Sequence, residues 1–102
     1  MIAQEQLHIV RALPQRERYR YVLPLVLREG AGWKIVSPNC SRNVDPGGGD
    51  IDIAWFEPLP DGLWRLHARN HAAARWRAMA DGLTLDAAIA RVNADPLREF
   101  WL

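Results

Sequence analysis

"DIDIAWFEPLPDGLWRLHARNHAAARWRAM", residues 50–79, decides the fold. Three segments within it alternate apolar and polar side chains, and two clusters of turn-forming residues separate them. A period of two puts successive side chains on opposite faces of a strand. Pro58, Pro60, Asp61 and Gly62 fill the first break, and Asn70, His71 and three alanines fill the second. Proline, aspartate, asparagine and glycine each favour a bend for a different reason, so such clusters mark chain reversals. The stretch therefore reads as strands over residues 50–57, 63–69 and 75–79, joined as two hairpins. A slip of one residue would invert every side chain, so the register is taken from the demand for one apolar face. Pairing Trp55 with Trp64, Ile53 with Leu66 and Ile51 with Ala68 meets that demand. Pairing Ala68 with Trp76 and Leu66 with Ala78 extends it. The opposite face then collects Arg65, His67, Arg69, Arg75 and Arg77, with Asp50 beside Arg69 and Asp52 beside His67.

Towards the N-terminus, residues 18–28 also alternate, with Tyr19, Tyr21, Leu23, Leu25 and Leu27 on the apolar side. Pro24 has no N–H to give a ladder, which implies a bulge or an unpaired edge there. "EGAG" turns the chain, and residues 33–37 return with Leu27 opposite Trp33 and Leu25 opposite Ile35. Residues 6–13, with Leu7 and Ile9 on one side, read as a first strand. Towards the C-terminus the period changes. "TLDAAIARVNADP" places Leu85, Ile89 and Val92 on one helical stripe, with Thr84 as N-cap and Asp86 in the first turn. Asp95-Pro96 suits the start of a short last helix, whose Leu97, Phe100, Trp101 and Leu102 need a sheet or another subunit to dock on. The expected architecture is α+β: an antiparallel sheet, a meander of hairpins with about five to six strands, and a C-terminal helix packed on one face. One domain spans residues 1–102.

Composition bounds the function. The 102 residues are 49% hydrophobic and 25% charged, an ordinary globular balance. A formal net charge of +1 exerts no general pull on nucleic acid or anionic membrane. No apolar run approaches the length of a membrane span and no signal-peptide pattern opens the chain, so a cytoplasmic location is expected. Cys40 has no second cysteine to pair with. The five tryptophans are expected to anchor the core, with Trp101 the one that could serve a dimer interface.

"WKIVSPNCSRNVDPGGGDIDIAWF", "WRLHARNH" and the ending "DPLREFW" resemble a group of small bacterial proteins of unknown function, over residues 18–102. The hairpin region is also similar to a broader domain-of-unknown-function family built of short antiparallel hairpins. The resemblance implies a stand-alone bacterial domain and carries no activity.

Candidate sites cluster at residues 37–52, "SPNCSRNVDPGGGDID". A nucleophilic Cys40 would need a histidine, His67 or His71, to lower its pKa, and no acyl-transfer or redox motif surrounds it. The simpler reading is an incidental thiol. Asn43, Asp45, Asp50 and Asp52 offer oxygens suited to a hard cation, but the spacing is not that of a calcium loop, and no metal is expected. The glycines lack the lysine and following helix of a phosphate loop. No cofactor is expected. The arginine-rich sheet face could hold phosphates, yet nearby acids dilute it and nucleic acid is not the expected partner. The expectation is a non-enzymatic binding or protein-interaction module. Its site would be Arg42, Asp50, Asp52, His67 and Arg69, and its partner a protein, a small anionic ligand or a second copy of the chain.

Overall fold

The computed structural model describes residues 3–16, 23–38 and 49–101. Helix α1 (Gln4–Ala12) leads through a short 3-10 turn at Leu13–Gln15 into strand β1 (Leu25–Glu29). Strands β2 (Gly32–Pro38), β3 (Asp50–Pro58), β4 (Trp64–Asn70) and β5 (Arg75–Leu83) follow, and helix α2 (Leu85–Ala94) comes last. The sheet has five strands in the order β1-β2-β3-β4-β5, and every neighbouring pair is antiparallel. The expected meander with a C-terminal helix is what the chain forms.

The turns follow from their residues. Glu29 pairs with Gly32, leaving a two-residue loop in which Gly30 has φ +56. A left-handed first position is what a two-residue hairpin needs and glycine supplies. The β3–β4 turn closes with Leu59 N–H donating to the Leu63 carbonyl at 2.8 Å. Three residues lie between, ending on Gly62 at φ +82, the pattern of a three-residue hairpin loop. Thr84 caps α2 by accepting the Ala87 N–H at 3.1 Å.

Residues 6–13, expected as a strand, lie in α1 and the turn after it. Nothing in Gln4–Ala12 breaks a helix, Glu5 and Arg11 suit its two ends, and Ile9 and Leu13 meet the core four residues apart. The apparent alternation of Leu7 and Ile9 was two residues of a helical stripe. The expected short last helix is absent among the described residues: Pro96 and Leu97 form a turn.

The register differs from the expected one throughout. Val26, not its leucine neighbours, faces the core at 4% exposure, and it pairs with Ile35. Leu25 pairs with Val36 and Leu27 with Lys34, both on the opposite face. The cause is the loop, which holds two residues where the expected pairing needed a longer one. In the next hairpin Ala54 pairs with Ala68, Phe56 with Leu66 and Trp55 with His67. Ile53 is the extra residue where the β2–β3 register shifts between Ile35 and Val36. A bulge of this kind lets Ile53 and Ala54 both be buried, at 2% and 0% exposure. Further shifts between β4 and β5 lengthen β5 to Leu83, which pairs with Trp64.

Both helices lie on one face. Ile9, Leu13, Ala88, Ile89 and Val92 join Ile35, Phe56, Leu66 and Ala68 in one buried cluster. Gln6 Nε2 donates to the Val26 carbonyl at 2.8 Å, tying α1 to the outer edge of β1. Asn93 Nδ2 donates to the Ala12 carbonyl at 2.9 Å, tying α2 to α1. Trp33, Trp64 and Trp101 belong to this core, so the expected grouping of Trp55, Trp64 and Trp76 is split. Trp101 is 1% exposed, packed within the core of its own chain.

Candidate functional site on the open sheet face

The face opposite the helices is built by alternation from all five strands. Leu25 and Leu27 come from β1, Lys34 and Val36 from β2, Asp52, Trp55 and Glu57 from β3. Arg65, His67 and Arg69 come from β4, and Trp76 and Ala78 from β5. Its centre is aromatic. Trp55 stacks on His67 with ring centroids 4.3 Å apart and planes at 25°. Trp76 lies 6.0 Å from Trp55, tilted by 40°. The Arg69 guanidinium sits over the Trp76 ring, 5.0 Å from its centroid.

Glu29 holds this cluster from the far edge of the sheet. Its carbonyl accepts the Trp55 Nε1–H at 2.9 Å, and its carboxylate accepts the Trp76 Nε1–H at 3.0 Å. Glu29 and Trp76 lie on the two edge strands, near diagonally opposite corners. Five strands spaced by about 4.8 Å span roughly 19 Å when flat, so the sheet must coil towards this face for the bond to form.

Every cation here has a carboxylate on the same face. Lys34 Nζ lies 3.1 Å from Asp52 and 3.7 Å from Glu29. Arg69 Nε lies 3.6 Å from Asp52. Arg65 bonds Asp81 at 2.6 Å and approaches Glu57 at 3.5 Å. The hydrogen bond to Asp81 holds the Arg65 pKa above its ordinary value. His67, 8% exposed, meets Glu57 through Nε2 at 2.9 Å, while its buried Nδ1 has no partner. His71, in the β4–β5 turn, is pushed below the usual histidine range by burial and by the Arg69 charge, with Asp52 opposing.

Of the expected site, Asp52, His67 and Arg69 do share this face. Their partners differ: Asp52 faces Arg69 and Lys34, and His67 faces Glu57. Asp50 is exposed at the start of β3. Arg42 and Cys40 lie outside the described residues, as do 39–48 of the loop. The proposed nucleophile pairing is therefore seen only from the histidine side, where His67 Nε2 is already engaged by Glu57. The arginine face divides. Arg65 and Arg69 stay on the open face, whereas Arg77 pairs with Ala68 and reaches 3.9 Å from Glu99 on the helix side. Arg75, opposite Asn70, also leaves the open face. Sequence reasoning missed Glu29, Lys34 and Glu57. Lys34 had a signal, being the one charged residue in β2.

A family model described as a domain of unknown function, DUF3024, matches residues 2–102. The chain belongs to this family. No curated protein and no solved structure gives a significant match. In this chain the described residues of the DUF3024 domain form a five-stranded antiparallel sheet with two helices on one face. Among the described residues no group of three or more His, Cys, Asp or Glu side chains is arranged to hold a metal ion. Among them, too, no helix is long and apolar enough to cross a membrane.

Proposed function

We propose that this DUF3024 chain is a non-enzymatic, cytoplasmic bacterial interaction module that docks another protein on its open sheet face. One observation carries the reading. The helices cover only one face, and the other presents Leu25 and Leu27 at 56% and 42% exposure, on the same side of the sheet as the half-buried Trp55 and Trp76. Scattered exposed leucines need no explanation, but exposed leucines on the same face as an aromatic centre have the form of an interaction surface. Tryptophan and arginine together at such a centre are the residue types that dominate binding energy in protein interfaces. The internal compensation of Lys34, Arg65 and Arg69 speaks against a small anionic ligand as the main occupant, because each cation would have to leave a carboxylate.

The test is site-specific photo-crosslinking in cells, with a photoreactive side chain at Leu25 and, as a control on the helix side, at Val10, which is 41% exposed. Protein adducts from position 25 and none from position 10 are expected. Absence of adducts from position 25, or equal yields from both, would overturn the reading.

A further inference from the structure

We infer that the free edge of β5 is a docking site for an extended, acidic segment of another protein, which joins the sheet as a further strand. The site lies on the edge opposite the leucines of β1. It therefore goes beyond the open-face reading and stands or falls without it.

The two edges of the sheet differ. At β1, Gln6 of α1 donates to the Val26 carbonyl at 2.8 Å and so guards the strand. At β5, among the described residues, only β4 bonds to the main chain of residues 75–78. Arg75, Arg77 and Ala78 are exposed, and Trp76 is half-buried. Alternate residues of an edge strand turn both main-chain groups outwards, and these unpaired groups are a template for another strand. The regular part of this edge is short. Register shifts against β4 leave Met79 as an extra residue and set both Asp81 and Gly82, the latter at φ +68, against Arg65. Bulges bend the strand and interrupt its ladder, so regular pairing is open only along residues 75–78. That stretch is roughly 13 Å long, which suits a short extended segment better than the edge of a second sheet.

The side chains specify what the segment carries. Arg75 and Arg77 share the helix side of the strand, and Trp76 and Ala78 share the open side. Among the described residues Arg75 has no ion-pair partner. Arg77 has Glu99 at 3.9 Å, beyond hydrogen-bond reach, and its side chain stays 58% exposed. Asp81, the acid of β5, is held by Arg65 at 2.6 Å. The edge is thus cationic where its pairing is regular. A strand added there sets its residues directly opposite, about 4.5–5.5 Å away and on alternate faces. Acids opposite Arg75 and Arg77 meet the two cations, and an apolar residue between them lies beside Trp76. The pattern is acidic, apolar, acidic.

The same arginines exclude a second copy. Two β5 edges paired about a two-fold axis at Trp76 would set Arg75 against Arg77 twice, and an axis at Arg77 would set that residue against itself. Like charges directly opposite are destabilising. In strand addition the main chain supplies affinity and alternate side chains supply specificity, and here the specificity is for acids.

The probe is a capped peptide of alternating glutamate and valine, titrated into the isotope-labelled full chain and followed by amide NMR. Shifts along residues 75–78 and their β4 partners are expected, with slowed hydrogen exchange at alternate amides of that stretch. Arg75→Glu combined with Arg77→Glu should raise the dissociation constant roughly 10-fold, because two cross-strand pairs turn from attraction to repulsion. Both arginines are exposed, so this variant is expected to keep the wild-type circular dichroism. The same peptide N-methylated throughout keeps its charge, loses its main-chain donors and should not bind. Absence of shifts along residues 75–78 would overturn the inference. So would equal affinity for the N-methylated peptide or for one with lysine in place of glutamate, or an unchanged constant in the double variant. Photo-crosslinking at position 25 reports on the open-face reading separately, and neither result decides the other.

Discussion

Replacing Asp95 by alanine should release the C-terminal segment from the core, at a cost that follows from three hydrogen bonds. Asp95 ends α2 in the left-handed region, at φ 38 and ψ 56, and is 1% exposed. Its Oδ1 accepts the N–H groups of Glu99 at 2.7 Å and Phe100 at 3.2 Å, and its Oδ2 accepts that of Trp101 at 2.8 Å. Phe100 and Trp101 are 2% and 1% exposed, so their N–H groups have no access to water once the carboxylate is gone. An orphaned buried donor costs about 1–3 kcal/mol, so the two together cost about 2–6 kcal/mol. A domain of this length holds roughly 5–15 kcal/mol of stability in all. The alanine variant should therefore lose a large share of it.

Asparagine and glycine at the same position separate the carboxylate from the backbone. Asparagine keeps one acceptor oxygen, and should lose only about 1–3 kcal/mol. Glycine removes the left-handed penalty of about 1–2 kcal/mol but supplies no acceptor at all. The expected order of stability is aspartate, asparagine, glycine, alanine, read from urea unfolding curves followed by tryptophan fluorescence. Trp101 Nε1 also donates to the Val92 carbonyl at 3.0 Å, so its environment should change in the alanine variant even before global unfolding. A loss below about 1 kcal/mol for alanine, or a glycine variant as stable as wild type, would refute the reasoning. The second result would show that the backbone conformation, not the carboxylate, holds the segment.

Gly32→Ala should be far more damaging than Gly30→Ala. A Cβ on Gly32 would lie 1.9 Å from the Phe56 carbonyl oxygen, at the end of the β2–β3 pairing, and should cost about 3 kcal/mol or more. A Cβ on Gly30 meets only a Trp55 ring carbon at 3.4 Å, so its cost is the positive φ, about 1–2 kcal/mol; reversed urea midpoints would contradict both assignments. His71 should titrate below its ordinary value, because burial and the Arg69 charge disfavour the protonated form. The unfolded chain then binds the proton more tightly, so this contribution to stability is full above the ordinary histidine range and is lost as pH falls through the lowered folded value. Proton NMR of His71 in wild type and Arg69→Gln checks this, and a wild-type midpoint at or above the ordinary value, or no rise on removing Arg69, would count against it.

Much of the fold was legible because its signals were local. The two turns within residues 50–79, the change of period at Thr84 and the helical stripe of Leu85, Ile89 and Val92 each depend on neighbours a few positions apart. The N-terminal helix was not, because Leu7 and Ile9 fit both a short strand and part of a helical stripe. The site was half legible. His67 and Arg69 share a face under either register because β4 alternates; Asp52 joins them only because two departures from the expected pairing cancel, the shifted β3–β4 register and the bulge at Ile53. Their partners depend on how one strand sits against the next, and there a single residue decides. The bulge at Ile53 and the two-residue loop at Gly30-Ala31 each change parity, and neither announces itself in composition.

The deeper reason is that the sequence carries two apolar faces, not one. The register was sought by asking which pairing collects the apolar residues on a single side, a sound criterion for a sheet with one face in water. Here Val26, Ile35, Phe56 and Leu66 satisfy it on the helix side. Leu25, Leu27, Val36, Trp55 and Trp76 satisfy it on the other. A strand such as LVLRE, apolar at three successive positions, therefore gives no parity at all. Strands that read as continuous apolar runs are those covered on both faces. The helices cover one. The failure of the single-face criterion thus has a local cause: β1 carries apolar side chains on both of its faces, Val26 towards the helices and Leu25 and Leu27 away from them, and no parity argument can choose between the two.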